Sequence, residues 1–129
     1  MKDYEIFANK IREVFGGTPT SENLVETLRT HKFYPTEIVF DDKEHIGPRE
    51  LAKAMPDKPV KWSKYTIYVR PFLQNDLEGL ALILAHELFH ITFGPIRSEK
   101  EADTFGALVH GLSYDEYRAK IKQYASLLR

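Results

Sequence analysis

Residues 77–93, LEGLALILAHELFHITF, form the most apolar stretch of this 129-residue chain. The stretch follows Asp76, whose side chain suits a helix N-cap, and precedes Gly94-Pro95, a pair typical of a helix C-terminus. It is short for a membrane span, which needs about 20 apolar residues. It also contains ionisable side chains, namely Glu78, His86, Glu87 and His90. The sequence therefore predicts a buried helix here and no membrane insertion.

Two histidines and a glutamate stand together in this helix as His86-Glu87-Leu88-Phe89-His90. Positions i and i+4 of a helix lie on one face, so both imidazoles can reach the same metal ion. Glu87 lies about 100° around the helix from His86, near enough to contact a water molecule without being a ligand. The alternative is a solvated surface face, but the helix is otherwise almost wholly apolar and buried charges need partners. The pattern predicts a metal site with Glu87 as general base.

A third metal ligand is expected downstream, because a catalytic zinc ion has three protein ligands and an open position. Ser98 and Glu101 have the spacing of a capping box, which gives Glu101 a structural role. Glu99 and Asp103 share a helix face, so we expect Glu99 on the metal and Asp103 accepting the far N–H of a ligating histidine. Glu101 stays the alternative third ligand. One zinc ion is the expected cofactor, although this ligand set could also hold another divalent cation.

Helices dominate the rest of the chain, with a small sheet between them. Helical spacing and capping residues indicate helices over residues 3–15 and Ser21–His31, a short helix after Pro48 that carries Leu51, Ala52 and Met55, and helices that begin at Ser98 and Ser113. The runs Ile38–Phe40 and Tyr65–Arg70 have the composition of strands. The sequence therefore predicts a single α+β domain over residues 1–129.

Composition excludes several classes of protein. The formal net charge is −1, which gives no basic footprint for nucleic acid or for an anionic membrane. The chain has no cysteine, so it forms no disulfide and offers no thiolate to a metal. The N-terminal residues are charged and lack the apolar core of a signal peptide. We expect a soluble cytoplasmic protein that binds no nucleic acid.

The two segments together resemble a known group of enzymes. His86-Glu87-x-x-His90 followed by Glu99-x-x-Ala102-Asp103 is similar to the pattern of the gluzincin metallopeptidases, whose third ligand is a Glu in a Glu-x-x-x-Asp helix. The resemblance covers about residues 65–107 and is greatest to the soluble minigluzincins, minimal domains similar to the cores of CAAX-type and heat-shock-type membrane endopeptidases. It implies a small zincin-like domain with an active-site helix and a glutamate helix. It also implies a zinc endopeptidase that acts on peptides or proteins.

The same resemblance implies how a substrate is held and how the enzyme is kept latent. Gluzincins pair an extended substrate with a strand beside the cleft, and the candidate here is the run containing Tyr65, Ile67, Tyr68 and Val69, because it precedes the active-site helix. The alternative is an internal strand of the sheet. Minigluzincins tend to be autoinhibited by a terminal segment or a second copy, which implies a zymogen and self-association. The helix over Ser113–Arg129 is the candidate blocking element, unless it is an ordinary packing helix.

Two other functions stay open from the sequence. The segment Glu99-Lys100-Glu101-Ala102, followed by the aromatic Phe105, also resembles the ImmA/IrrE-type peptidases, which implies a regulatory protease specific for one protein partner. A non-catalytic metal-binding module is the third interpretation. Glu87 argues against it, because a structural metal site does not need a carboxylate beside a bound water.

Overall fold

The computed structural model describes residues 1–31, 36–41, 44–58, 64–94 and 97–128. Within these ranges the chain forms five α-helices and a three-stranded sheet. In chain order the elements are α1 (Asp3–Phe15), α2 (Ser21–Arg29), β1 (Thr36–Phe40), β2 (Ala52–Pro56), β3 (Tyr65–Val69), a 3-10 helix (Pro71–Asn75), α3 (Leu77–Phe93), α4 (Glu99–His110) and α5 (Tyr114–Ala125). The α+β class predicted from the sequence is confirmed.

Helix boundaries follow the capping residues in the sequence. The Asp76 side chain accepts a hydrogen bond from the Gly79 amide at 3.0 Å, so it caps α3 as predicted. Ser98 caps α4 and Ser113 caps α5 in the same way. Gly111 ends α4 in the left-handed conformation, which a residue without a Cβ adopts at little cost.

The strand β3 lies at the centre of the described sheet, whose order is β1-β3-β2. It pairs in parallel with β1 and antiparallel with β2, so neither of its edges is open to a substrate. The prediction that Tyr65, Ile67, Tyr68 and Val69 form a substrate-binding edge is therefore wrong, and the internal-strand alternative is correct. The physical reason is burial. Ile67 and Val69, which point to the same face of the sheet, are fully buried, so β3 is anchored in the core as a central strand.

The helix predicted for the segment after Pro48 is also wrong. Residues Ala52–Pro56 form the strand β2 rather than the predicted short helix, and Pro48 lies in a turn before it. Alanine-rich sequence favours a helix locally, but antiparallel pairing with β3 satisfies the backbone of this segment instead. In the described sheet β2 is an edge strand, and it packs against α3.

Helix α3 forms the centre of the core and contacts α2, α4, α5 and β2. Most of its residues are buried, among them Leu80, Ala81, Leu84, Leu88 and Ile91, as the sequence predicts. Leu77, the first residue of α3, is 63% exposed. Among the described residues, no helix combines the length and the apolar character that crossing a membrane requires.

Two tyrosines hold α5 against the other helices. The Tyr117 ring lies over Gly106 of α4, where even a Cβ would overlap it, and its hydroxyl donates to the Leu82 carbonyl of α3 at 2.6 Å. The Tyr124 ring lies over Gly79 in the same manner. Helix α5 is therefore docked closely on α3 and α4 rather than laid loosely across them.

Candidate metal centre

Three of the predicted site residues converge where α3 and α4 meet. His86 Nε2 lies 2.9 Å from Glu99 Oε2, and His90 Nε2 lies 3.0 Å from Glu99 Oε1. One ligand atom from each of the three side chains falls within 4.8 Å of the others. The histidines are one turn apart on α3, as the spacing predicts, and Glu99 is the first residue of α4.

The connection between α3 and α4 determines where Glu99 lies. Helix α3 is followed by Gly94, whose φ is 113°. Residues with a Cβ rarely adopt this backbone conformation. Arg97 lies just before α4, where its guanidinium bonds to Asp3 and lies 5.5 Å from the centre of the Phe89 ring. The start of α4 is thus fixed beside the histidines.

Glu101, the alternative third ligand, lies outside this group. Its carboxylate accepts a hydrogen bond from Arg97 at 2.9 Å and one from the Ser98 hydroxyl at 3.3 Å. Its own amide donates to Ser98 Oγ, as in the capping box that the spacing predicts. The Arg97 guanidinium and Ser98 together account for the Glu101 carboxylate. The geometry favours Glu99.

Asp103 lies behind His86, as expected. Its buried carboxylate is 2.8 Å from His86 Nδ1, which fixes that nitrogen as the protonated one and turns Nε2 toward Glu99. Its second oxygen accepts a hydrogen bond from Arg118 of α5 at 3.0 Å. Sequence reasoning missed Arg118, because no motif spacing links the two residues. The one available signal was that a buried aspartate requires a cationic partner.

The electrostatics of the site favour a cation. Burial alone would lower the pKa of His86, but hydrogen bonds to Asp103 and Glu99 outweigh it and raise that pKa to about 10. The contact with His86 in turn lowers the pKa of the Glu99 carboxyl. Carboxylates that stabilise an imidazolium would equally stabilise a divalent cation at the same position.

The surroundings of His90 test directly whether a metal fits. Both ring nitrogens are buried and neither makes a hydrogen bond of good geometry, since Nε2 meets Glu99 Oε1 only through the contact at 3.0 Å. An unpaired buried nitrogen costs free energy unless something binds it. Burial also lowers the pKa of His90, which favours the neutral form that binds metals. Two imidazoles and one carboxylate are a catalytic zinc set, so the residues fit zinc.

Glu87 lies beside the ligands and is almost completely buried. Burial raises the pKa of its carboxyl to about 7, and the negative charges of Glu99 and Glu50 act in the same direction while His86 opposes them. A carboxyl with a pKa near neutrality can both take up and release a proton. A divalent cation beside it would favour the carboxylate form and lower this pKa.

The site opens into a cleft of about 480 Å³. His86, Glu87, His90 and Glu99 line it, together with residues of β2 and the turn before it and with residues of α5. Helix α5, the candidate blocking element, therefore lines the cleft beside the site and packs on α3 and α4. A peptide segment could reach the metal ligands from this cleft.

A second group with metal-ligand side chains lies on the surface. Asp41, Glu44 and His45 also bring one ligand atom each within 4.8 Å of the others. His45 Nδ1 is 2.7 Å from Asp41 Oδ2, and the His45 ring stacks on Tyr68 with centroids 4.0 Å apart. Of the remaining histidines, His110 is half-buried at the end of α4, and its Nε2 donates to the Ala81 carbonyl at 2.9 Å.

Comparison of the chain with protein-family models, with curated proteins and with solved structures gave no match. What the site does is therefore inferred from its own geometry and chemistry.

Proposed function

We propose that this chain is a zinc-dependent endopeptidase. The observation that supports it best is the buried Glu87 beside three convergent ligand side chains in an open cleft. A metal site with a purely structural role does not require that carboxylate. A site for hydrolysis does, because water must lose a proton as it attacks a carbonyl.

His86, His90 and Glu99 would hold the zinc ion. When bound, zinc would polarise the substrate carbonyl and lower the pKa of a water molecule in the site. Asp103 accepts a hydrogen bond from the Nδ1–H group of His86. This bond keeps the Nε2 lone pair of His86 directed at the cleft. Arg118 holds Asp103 in that position from α5.

Glu87 moves the proton during the reaction. Its carboxylate takes a proton from the attacking water as the new C–O bond forms at the peptide carbonyl. The same carboxyl then delivers this proton to the amide nitrogen as the C–N bond breaks, so Glu87 returns to its starting state. Its burial supports this role, because the proton stays in the site rather than passing to solvent.

The substrate is proposed to be an extended peptide segment. The strand beside the cleft is β2, whose outer edge has no partner strand in the described sheet. An extended chain can add to such an edge through main-chain hydrogen bonds, which places its carbonyl groups near Glu87. This assigns to β2 the role that the sequence had suggested for β3.

Hydrolysis of quenched fluorescent peptides by zinc-loaded protein tests the proposal, with Glu87→Gln and Glu78→Gln compared. Glu78 lies on the same helix but is exposed and bonds to Lys120, so it is a matched control. We expect Glu87→Gln to retain zinc and lose activity by a factor of about 10²–10⁴. Equal activity of Glu87→Gln and wild type would contradict the general-base role. Cleavage of a single protein partner, with no cleavage of peptides, would favour the regulatory-protease alternative.

A further inference from the structure

We propose that the cleft selects peptides with acidic side chains next to the scissile bond, through Arg49, Lys53 and Lys122. The inference rests on the proposed function and names its substrate class. It depends on which charges around the cleft already have partners.

The β2 side of the cleft carries two of these cations. Arg49 precedes β2 and Lys53 lies within it, and both are exposed and line the cleft. Among the described residues neither has a carboxylate within 4.0 Å. Glu50 lies between them and one of its oxygens accepts the Gly47 amide at 3.0 Å, so it bonds to the backbone and to neither cation.

The α5 side carries the third cation. Lys122 is exposed, lines the cleft and has no carboxylate partner in the described ranges. Its neighbours on the helix are different. Arg118 is paired with Asp103 and Lys120 is paired with Glu78. Cations that have no carboxylate partner among the described residues therefore line the cleft on both sides.

The inner and outer parts of the cleft differ in charge. Near the metal position, the carboxylates of Glu87, Glu99 and Asp103 would be balanced by a divalent cation and by Arg118. Among the described residues that line the cleft away from the metal position, Arg49, Lys53 and Lys122 outnumber the one carboxylate, that of Glu50. A zinc-loaded cleft thus presents excess positive charge at the rim, where side chains flanking the scissile bond would lie.

The net charge of the whole chain does not explain the positive charge around the cleft. The chain has a formal net charge of −1, so a positive rim is not a consequence of a basic protein. Charges of one sign that line a cleft focus the field and attract ligands of the opposite sign. Such attraction weakens as salt rises, because exposed charges are screened over about 8–10 Å.

Binding measurements test the proposal without requiring turnover. The probes are fluorescent peptides with Glu, Gln or Lys on both sides of one fixed central dipeptide, and the protein is zinc-loaded Glu87→Gln. We expect the Glu peptide to bind about tenfold more tightly than the Lys peptide at low salt, with the difference shrinking at high salt. Affinities within twofold of each other for the Glu and Lys peptides would overturn the proposal.

Charge reversals locate the effect. Lys53→Glu and Lys122→Glu should each reduce the preference for the Glu peptide at least about threefold. Lys10→Glu is the matched control, because Lys10 is an exposed lysine of α1 that does not line this cleft. An equal loss of preference in the control would overturn the assignment to the rim.

Hydrolysis by the wild type separates this inference from the proposed function. Cleavage of the Glu and Lys peptides at equal kcat/KM would overturn the acidic preference and leave the peptidase proposal intact. Selective binding of the Glu peptide without any hydrolysis by the wild type would support the recognition surface and contradict the peptidase proposal.

Discussion

The residues that the structure describes hold two groups of side chains that could bind a metal ion, each with its ligand atoms within 4.8 Å of one another, but the surroundings of the two groups differ. His86, His90 and Glu99 meet between two helices, and His86 and His90 are largely buried. Asp41 and His45 lie within one surface segment, with Glu44 beside them. In the buried group, both ring nitrogens of His90 lack a hydrogen bond. In the surface group, His45 is already bonded to Asp41 through its ring and its amide.

The difference shows what distinguishes a metal site from a chance cluster. In both groups the ligand atoms lie within 4.8 Å of one another, but among the described residues the buried group alone combines ring nitrogens that make no well-formed hydrogen bond with a second layer of supporting side chains. Asp103 and Arg118 hold His86 from behind, whereas the surface group relies on contacts within its own segment and on one ring stack. We expect zinc at the buried group only.

Replacing one histidine in each group should give the largest difference in zinc affinity. His90→Ala should weaken zinc binding by a factor on the order of 10²–10⁴, because a three-ligand site loses one of its ligands. His45→Ala should leave zinc affinity unchanged. Competition with a chromophoric chelator measures both affinities. A comparable loss in His45→Ala would remove the distinction between the groups.

Replacing the aspartate that bonds to a histidine in each group should give the next largest difference in zinc affinity. Asp103→Asn should lower zinc affinity about 10–100-fold, because His86 loses the carboxylate that fixes its tautomer. Asp41→Asn, which changes the analogous aspartate of the surface group, is the matched control and should have no effect. Arg118→Gln should give a smaller loss than Asp103→Asn, since Arg118 acts through Asp103.

The close packing of α5 on α3 and α4 should contribute measurably to the free energy of unfolding. Gly106→Ala places a methyl group against the Tyr117 ring, which is buried and cannot move aside freely. We expect the free energy of unfolding to fall by about 1–3 kcal/mol in urea titrations. The control is Ser126→Ala, at an exposed position after α5, which should change it by less than about 0.5 kcal/mol. Unchanged stability of Gly106→Ala would show that α5 is not docked closely.

The smallest expected effect concerns His110, a half-buried histidine that already has a protein partner. Burial lowers its pKa below 6.5, so the folded state favours the neutral ring that donates to Ala81. Its contribution to stability is therefore present above about pH 6.5 and is lost as the pH falls toward its pKa in the folded protein. His110→Gln should reduce the slope of the free energy of unfolding against pH below about pH 6.5. An identical slope in the variant and the wild type would contradict the claim that burial lowers the pKa of His110.

Local patterns predicted the parts of this structure that depend on neighbours in sequence. The α3 boundaries follow from Asp76 and Gly94, and the spacing of His86 and His90 places them on one face. The assignment of Asp103 behind His86 also follows from helical spacing. These features require only the period of a helix and the chemistry of its ends.

Features that depend on distant pairing could not be predicted in the same way. Residues 52–56 have a sequence that suits a helix, and only pairing with β3 makes them a strand. That pairing also encloses β3 and leaves β2 at the edge. Arg118 reaches Asp103 because Tyr117 docks α5 on Gly106, a packing relation with no periodic signature.

Zinc content of the purified protein, measured by elemental analysis with Glu99→Ala and Glu101→Ala as a pair, tests the central claim most directly. The two glutamates are two positions apart, but only Glu99 contacts the histidines, while Glu101 bonds to Arg97. We predict one zinc ion per chain in the wild type and in Glu101→Ala, and none in Glu99→Ala. A wild-type protein that binds no zinc even after zinc is added, or equal loss in both variants, would contradict the account.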